Sequence, residues 1–338
     1  MYQKTKIILA ILLSFSFTQA KDMQEWLRPS EIPQPKNNKL TPQRIELGKL
    51  LYFDVRLSSS EKISCATCHH PKHGWSDEIA TPKAIGHEGA VGSRNSPVIL
   101  NTAYQNRQFW DGRAKTLEEQ TLKPIEEGVE MNMPLSILIP KLNAIDGYVK
   151  LFDIAYPKEG LNKTTLAKAL ASFGRTVVST IAPFDNYIMG DKNAISKKAK
   201  RGFKLFKTKA HCIDCHEKFN FSDGSFHNIG LNDGELHGKE LGRYVVKPRA
   251  SWYGVMKTPT LRDVTKSAPY FHDGSVQTLV EASSICANGG RYKYNVKNKS
   301  TYIKDRGLSR QEIDDLVTFL HTLTGPDMKL KIPTKFPQ

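Results

Sequence analysis

The string Cys65-Ala66-Thr67-Cys68-His69 returns later in the chain as Cys212-Ile213-Asp214-Cys215-His216. Two thiols at this spacing can add to the two vinyl groups of a porphyrin, and a His directly after the second can turn back to bind the iron. Zinc sites and thiol–disulfide oxidoreductases use the same Cys spacing, but neither requires the His, and here it occurs twice. A zinc centre made from all four paired cysteines would also leave His69 and His216 unexplained. The sequence therefore implies two covalently attached c-type haems. Cys65, Cys68, Cys212 and Cys215 are the attachment points, and His69 and His216 the proximal iron ligands.

Haem attachment belongs outside the cytoplasm, and the first residues agree. Lys4 and Lys6 precede a mostly apolar stretch from Ile7 to Phe17, with Thr18-Gln19-Ala20 as small residues at cleavage positions. The apolar run is shorter than the roughly 20 residues a spanning helix needs. The expectation is a signal peptide at 1–20 and export to the periplasm, with no membrane span. The 338 residues, 39% hydrophobic and 25% charged, suit an ordinary globular protein of two domains, each of about 150 residues. The formal charge of +15 is lowered by loss of the leader lysines and by haem propionates, yet a basic surface remains. Such a surface can steer an acidic protein partner. Nucleic acid is not expected, because the basic residues are scattered and no recognition motif accompanies them.

The elements that must position the motifs repeat weakly. Thr41-Pro42 reads as N-cap and first residue of a helix through Leu51, and Ser196 starts a second helix. Gly48-Lys49-Leu50-Leu51-Tyr52 in the first is echoed by Gly202-Phe203-Lys204-Leu205-Phe206 in the second, and Trp75-Ser76-Asp77 by Phe221-Ser222-Asp223. Leu166, Leu170, Phe173, Val177 and Ile181 give one apolar helix face over 164–181. Ser309 with Glu312 forms a capping box for a last helix running to about Leu323. Residues 224–256 and 287–305 read as loops. The expected fold is mainly α, with long loops and two cytochrome c-like domains, 21–185 and 186–338, each carrying one haem.

With both haem motifs in place, the chain resembles the bacterial diheme cytochrome c peroxidases and the related MauG-like enzymes. The likeness rests on Arg56-Leu57-Ser58, Arg94-Asn95-Ser96-Pro97, Phe109-Trp110-Asp111-Gly112-Arg113, Glu130-Met131, Thr258-Pro259-Thr260-Leu261-Arg262 and Pro269-Tyr270-Phe271-His272-Asp273-Gly274. The resemblance implies a peroxidatic haem in the N-terminal domain and an electron-transfer haem in the C-terminal one. Splitting a peroxide O–O bond needs an open iron site and a group that moves a proton between the two oxygens. The resemblance assigns that group to Glu130, with Gln120 beside it, and places Trp110 between the haems. It makes His87 a removable distal ligand of the first haem, although this chain has two extra residues between His69 and His87 relative to the family pattern. An exposed loop His is the other reading. It also implies a calcium ion held by the Asn95 side chain and the carbonyls of Ser267 and Pro269.

The largest departure is Cys286, the thiol left over after the pairs are counted, standing where the peroxidases place an axial Met and MauG a Tyr. A thiolate there would stabilise ferric iron, whereas a thioether would raise the potential. Tyr292 and Tyr294 are nearby alternatives. Three functions follow from these readings. One is hydrogen peroxide reduction with electrons from a small cytochrome c or copper protein; another is peroxide-dependent oxidation of Trp or other side chains on a protein substrate. The third, a plain electron carrier, is disfavoured by Gln120 and Glu130. A homodimer is compatible with the sequence and not specified by it.

Overall fold

The computed structural model describes residues 23–77, 83–231, 240–293 and 296–338, so the leader expected at 1–20 lies outside the described residues. Its helices are α1 (Pro42–Phe53), α2 (Cys65–Cys68), α3 (Leu117–Glu126), α4 (Leu135–Asn143), α5 (Asp146–Ala155), α6 (Lys163–Thr176), α7 (Pro183–Ile188), α8 (Lys197–Lys207), α9 (Leu279–Ala287) and α10 (Arg310–His321). The expected mainly α fold is present. Among the described residues no helix is long and apolar enough to cross a membrane.

Each half is organised by one helix crossing, and the echoed glycines mark both. A Cβ on Gly48 of α1 would stand 2.0 Å from the Ala169 carbonyl oxygen of α6. One on Gly202 of α8 would stand 2.0 Å from the Asp315 carbonyl oxygen of α10. Only a residue without a side chain lets two helix backbones approach so closely. The repeat is thus a repeat of packing. The starts of these helices lie where the capping residues put them: Thr41, Ser196 and Ser309 each accept a backbone N–H from the first turn, at Arg44, Ala199 and Glu312.

The helix expected over 164–181 is shorter than its apolar spacing suggests. It ends at Thr176, Val177 is buried, and Ile181 is 58% exposed. The cause is twofold. Val177, Val178, Thr180 and Ile181 are β-branched and lose rotamer freedom in a helix. Asn101 also offers the extended backbone two bonds, donating its N–H to the Val177 carbonyl (2.9 Å) and accepting the Ser179 N–H at Oδ1 (3.0 Å). The described residues of the segments read as loops are largely so, with a short antiparallel pair, β1 (Phe226–His227) and β2 (Met256–Lys257), pairing Phe226 with Lys257.

Two hydrophobic cores result, each side chain fully buried contributing about 1.5–3 kcal/mol. The first gathers Leu47, Leu51, Tyr52, Leu138, Phe152 and Phe173; the second gathers Phe184, Phe203, Phe206, Phe221 and Phe319. The chain does not divide between them at a single point. Trp26 packs in the second core, edge-on to Phe203 at 5.5 Å, while Met328, Leu330, Ile332 and Phe336 pack on the first. Polar bonds pin both crossings: Arg262 Nη2 donates to the Trp26 carbonyl (2.8 Å), Gly147 N–H to the Gln338 carbonyl (2.8 Å).

Candidate functional site

A cavity of about 960 Å³ runs between the halves, with Cys65, Cys68 and His69 on its wall together with Cys212, Cys215 and His216. Local backbone bonding presents both motifs alike. α2 is a single turn, and the second motif is a 3-10 turn over Cys212–Asp214. In each the His N–H donates to the first Cys carbonyl, at 3.1 Å for His69 and 2.9 Å for His216. That bond closes the turn that carries the two thiols and the His.

The donor set fits a haem at each motif. His216 Nδ1 lies 2.7 Å from the Phe221 carbonyl, an atom that only accepts, so Nδ1 carries the proton and Nε2 keeps its lone pair for a metal. Burial lowers both imidazoles, His69 to about 4, which keeps them neutral as ligation demands. Burial likewise pushes the thiols of Cys65, Cys68 and Cys212 up to about 12. The pairs are separate: among the described residues the four motif thiols do not come together within metal-binding reach, so a single four-sulfur zinc centre does not fit.

Among the described residues, Cys215, Asp223 and His227 come within metal-binding reach of one another. Cys215 belongs to the haem motif, and His227 Nε2 is engaged with Asp223 Oδ2 at 2.8 Å. That bond to Asp223, with Cys215 behind it, raises the His227 imidazole to about 10. The pair is an ion pair beside the second attachment point.

On the first-motif side the cavity wall includes Glu130, Gln120 and Arg113. Gln120 is carried by α3, which Thr116 caps. Glu130 follows in the turn beyond that helix, its N–H on the Glu127 carbonyl at 3.0 Å. Burial raises the Glu130 carboxyl above its ordinary value, with Arg113 opposing and Glu127 reinforcing. The loop bearing His87 is laid directly on this turn. His87 N–H donates to the Glu130 carbonyl (2.8 Å), and a Cβ on Gly86 would meet the Val129 carbonyl at 2.0 Å.

The His87 ring, however, is absent from the cavity wall. Its Nδ1 lies 3.2 Å from Ser59 Oγ and its Nε2 3.8 Å from Glu88. In this conformation His87 is a loop residue next to the site, with its neighbours Ala84 and Gly86 on the wall.

Between the halves, Trp110 donates Nε1–H to the Asn95 carbonyl (2.9 Å) and meets the His272 ring edge-to-face at 6.4 Å. Asn95 Nδ2 donates to the carbonyls of Pro269 (2.7 Å) and Phe271 (3.1 Å), leaving Oδ1 buried without a partner. The three residues expected to hold calcium are thereby brought to one wall of the cavity. Arg94 spans the same junction, forking onto Glu240 and reaching Asp111 at 2.7 Å.

Sequence reasoning passed over His272 and Lys257. His272 belongs to the Pro269–Gly274 motif, and burial lowers its imidazole. Lys257 gave no local signal. It is buried in the wall with Nζ on Gln105 Oε1 (2.7 Å), and desolvation brings it down to about 8. Lys83, Arg94, Arg113 and Lys257 supply the Lys and Arg cations on the cavity wall among the described residues.

Cys286, on α9, is half-buried and on the cavity wall near Cys212, and desolvation pushes its thiol up to about 11. Tyr292 is 41% exposed and off the wall, and Tyr294 lies outside the described residues. Of the expected axial candidates, Cys286 is the one facing the cavity among those described.

Comparison with known proteins finds two family matches along the chain. The family described as di-haem cytochrome c peroxidase matches residues 42–193, and the cytochrome c family matches 199–324. The methylamine utilization protein MauG of Methylophilus methylotrophus is 41% identical, covering 92% of this chain and 91% of its own. The cytochrome c551 peroxidase of Pseudomonas aeruginosa is 33% identical, covering 90% and 85%. Among solved structures, a MauG-like protein associated with microbial copper homeostasis superposes with a TM-score of 0.81 at 28% identity, covering 88% and 93%.

Proposed function

This chain belongs to the di-haem cytochrome c peroxidase family, which includes MauG, and from that we propose a peroxidase in which Glu130 and Gln120 serve the haem at His69. It is an oxidoreductase with two c-type haems. Bound at His69 and His216, these groups supply an iron at which peroxide is split and a second redox centre that exchanges electrons with it.

The chain's own residues supply the proton handling. As a carboxylate, Glu130 takes a proton from the nearer peroxide oxygen and returns it to the departing one. Gln120 offers a neutral hydrogen bond that orients peroxide without competing for the proton. Trp110, bonded to Asn95 and packed on His272, lies on the route between the two motifs. The observation that carries this reading is a half-buried carboxyl, Glu130, of raised pKa in the same cavity as Cys65 and His69. The electron donor is a small cytochrome c or copper protein drawn to the basic surface, and the compartment is the periplasm. Steady-state peroxide consumption with such a reduced donor tests the reading; absence of donor oxidation overturns it.

A second reading, oxidation of Trp or other side chains on a partner protein, is favoured by the 41% identity to MauG and by Cys286 in the axial column. Burial holds Cys286 as a thiol unless a bound metal draws the proton off, as coordination does. Mass shifts on a partner after peroxide would mark this activity.

Calcium is the remaining proposal. Half a turn of the Asn95 amide would aim Oδ1, now unpartnered, toward the Pro269 carbonyl, an oxygen pair suited to a hard cation. Elemental analysis should find calcium in the native protein and lose it in Asn95→Ala. Chelation should lower peroxide turnover, with restoration by added calcium.

A further inference from the structure

The two halves match in backbone at two buried positions where their side chains differ in kind. Tyr52 and Phe206 stand four residues after the crossing glycines Gly48 and Gly202. Trp75 and Phe221 follow the two haem motifs, and both adopt the left-handed backbone, at φ 61° and 47°. In the second half the pair is Phe206 and Phe221, with ring centroids 5.8 Å apart. In the first it is Tyr52 and Trp75, 6.1 Å apart. Packing alone is met by phenylalanine, as the second half demonstrates. What phenol and indole add is ease of oxidation.

Their placement gives that property a direction. Tyr52 is on the cavity wall, and its hydroxyl donates to the His69 carbonyl at 2.6 Å. Trp75 is behind Tyr52 and 3% exposed, and it borders a small recess shared with Lys266, Asp327 and Met328. A line of oxidisable rings thus leads from the proximal ligand toward the surface.

We propose that Tyr52 and Trp75 form a redox relay on the His69 side of the first haem, with Trp75 giving up an electron when peroxide arrives without external reductant. This rests on the peroxidase reading. Reduction of one hydrogen peroxide to two waters takes two electrons and two protons. With no donor the electrons leave the two haem centres, and one centre is refilled by one electron from the Trp75 indole. The indole remains as a radical cation, which sheds its N–H proton to water. Tyr52 conducts and does not hold the oxidation, because its proton faces a backbone carbonyl that cannot take it.

The test is to mix holoprotein carrying both haems with peroxide, without donor, and to follow freeze-quenched samples by electron paramagnetic resonance and peptide mass mapping. An organic radical signal that narrows on ring-deuteration of tryptophan is expected, and in air the radical should capture dissolved dioxygen, so the peptide containing Trp75 should gain oxygen. Trp75→Phe should lose both signatures, and Tyr52→Phe should slow the radical several-fold.

An undiminished signal in Trp75→Phe, or oxidation mapping to Trp26, Trp110 or Trp252 instead, overturns the proposal. The mapping needs only wild-type protein, so a variant that misfolds does not obscure the answer. If wild type consumes peroxide with donor yet leaves Trp75 unmodified and radical-free, the relay alone fails. If it consumes none, relay and peroxidase reading fail together.

Discussion

In the proposed mechanism Glu130 is the proton acceptor, so its raised carboxyl would set the acid limb of the reaction. The carboxylate form grows as pH rises through a value above the usual glutamate value of about 4.3. The kcat/KM for peroxide should therefore fall as pH is lowered through that raised value. Glu130→Gln should lower kcat/KM about 10²- to 10⁴-fold and erase that limb while haem content by mass is unchanged. An unaltered pH profile in the variant would assign the proton transfer elsewhere. Cys286 makes the second residue-level prediction. Cys286→Met should raise the midpoint potential of the second haem in a spectroelectrochemical titration, since a thioether favours ferrous iron more than a thiolate does. An identical spectrum and potential would remove Cys286 from the axial position. That both residues reach the cavity wall was legible in sequence, because a motif or a family column singled them out. Lys257 was not, since its burial beside Gln105 depends on contacts 152 residues apart.

At the level of elements, the crossings predict a sharp contrast between glycines. Gly48→Ala pushes a methyl group into the Ala169 carbonyl and should cost about 3 kcal/mol or more in denaturant unfolding. Gly174→Ala, on the same α6 but with nothing within 4 Å, should be neutral or stabilising by about 0.5–1 kcal/mol. Equal effects from the two would mean that the crossing tolerates separation. The starts of α1, α8 and α10 could be read from Thr41, Ser196 and Ser309 because capping is a contact between residues three apart. The end of α6 could not be read from apolar spacing, because Asn101, distant in sequence, decides it. For the same reason the His87 ring position escaped a linear reading: Ser59 and the Glu130 carbonyl hold the loop from other segments.

Across the whole molecule, the crossing of the chain's ends binds each half to the other. Trp26→Ala should destabilise the second core by about 3–5 kcal/mol, although the residue precedes the first haem motif. Acid should loosen the junction as well. Burial alone would raise the Asp111 and Glu240 carboxyls, but Arg94, with Arg113 at Asp111, outweighs it and holds both below their ordinary values. Their contribution is complete above the unfolded carboxyl pKa and is lost as pH falls through the depressed folded values. The unfolding midpoint should therefore drop in that acid window for wild type and change less there for Arg94→Ala.

The crossed segments also couple the two halves against proteolysis. Residues 328–336 pack on the first core although they follow the last helix of the second in sequence, so a cut between them and that helix unfastens part of the first half's wall. A chain interrupted before residue 328 should therefore accumulate with that half porous and readily cut by protease.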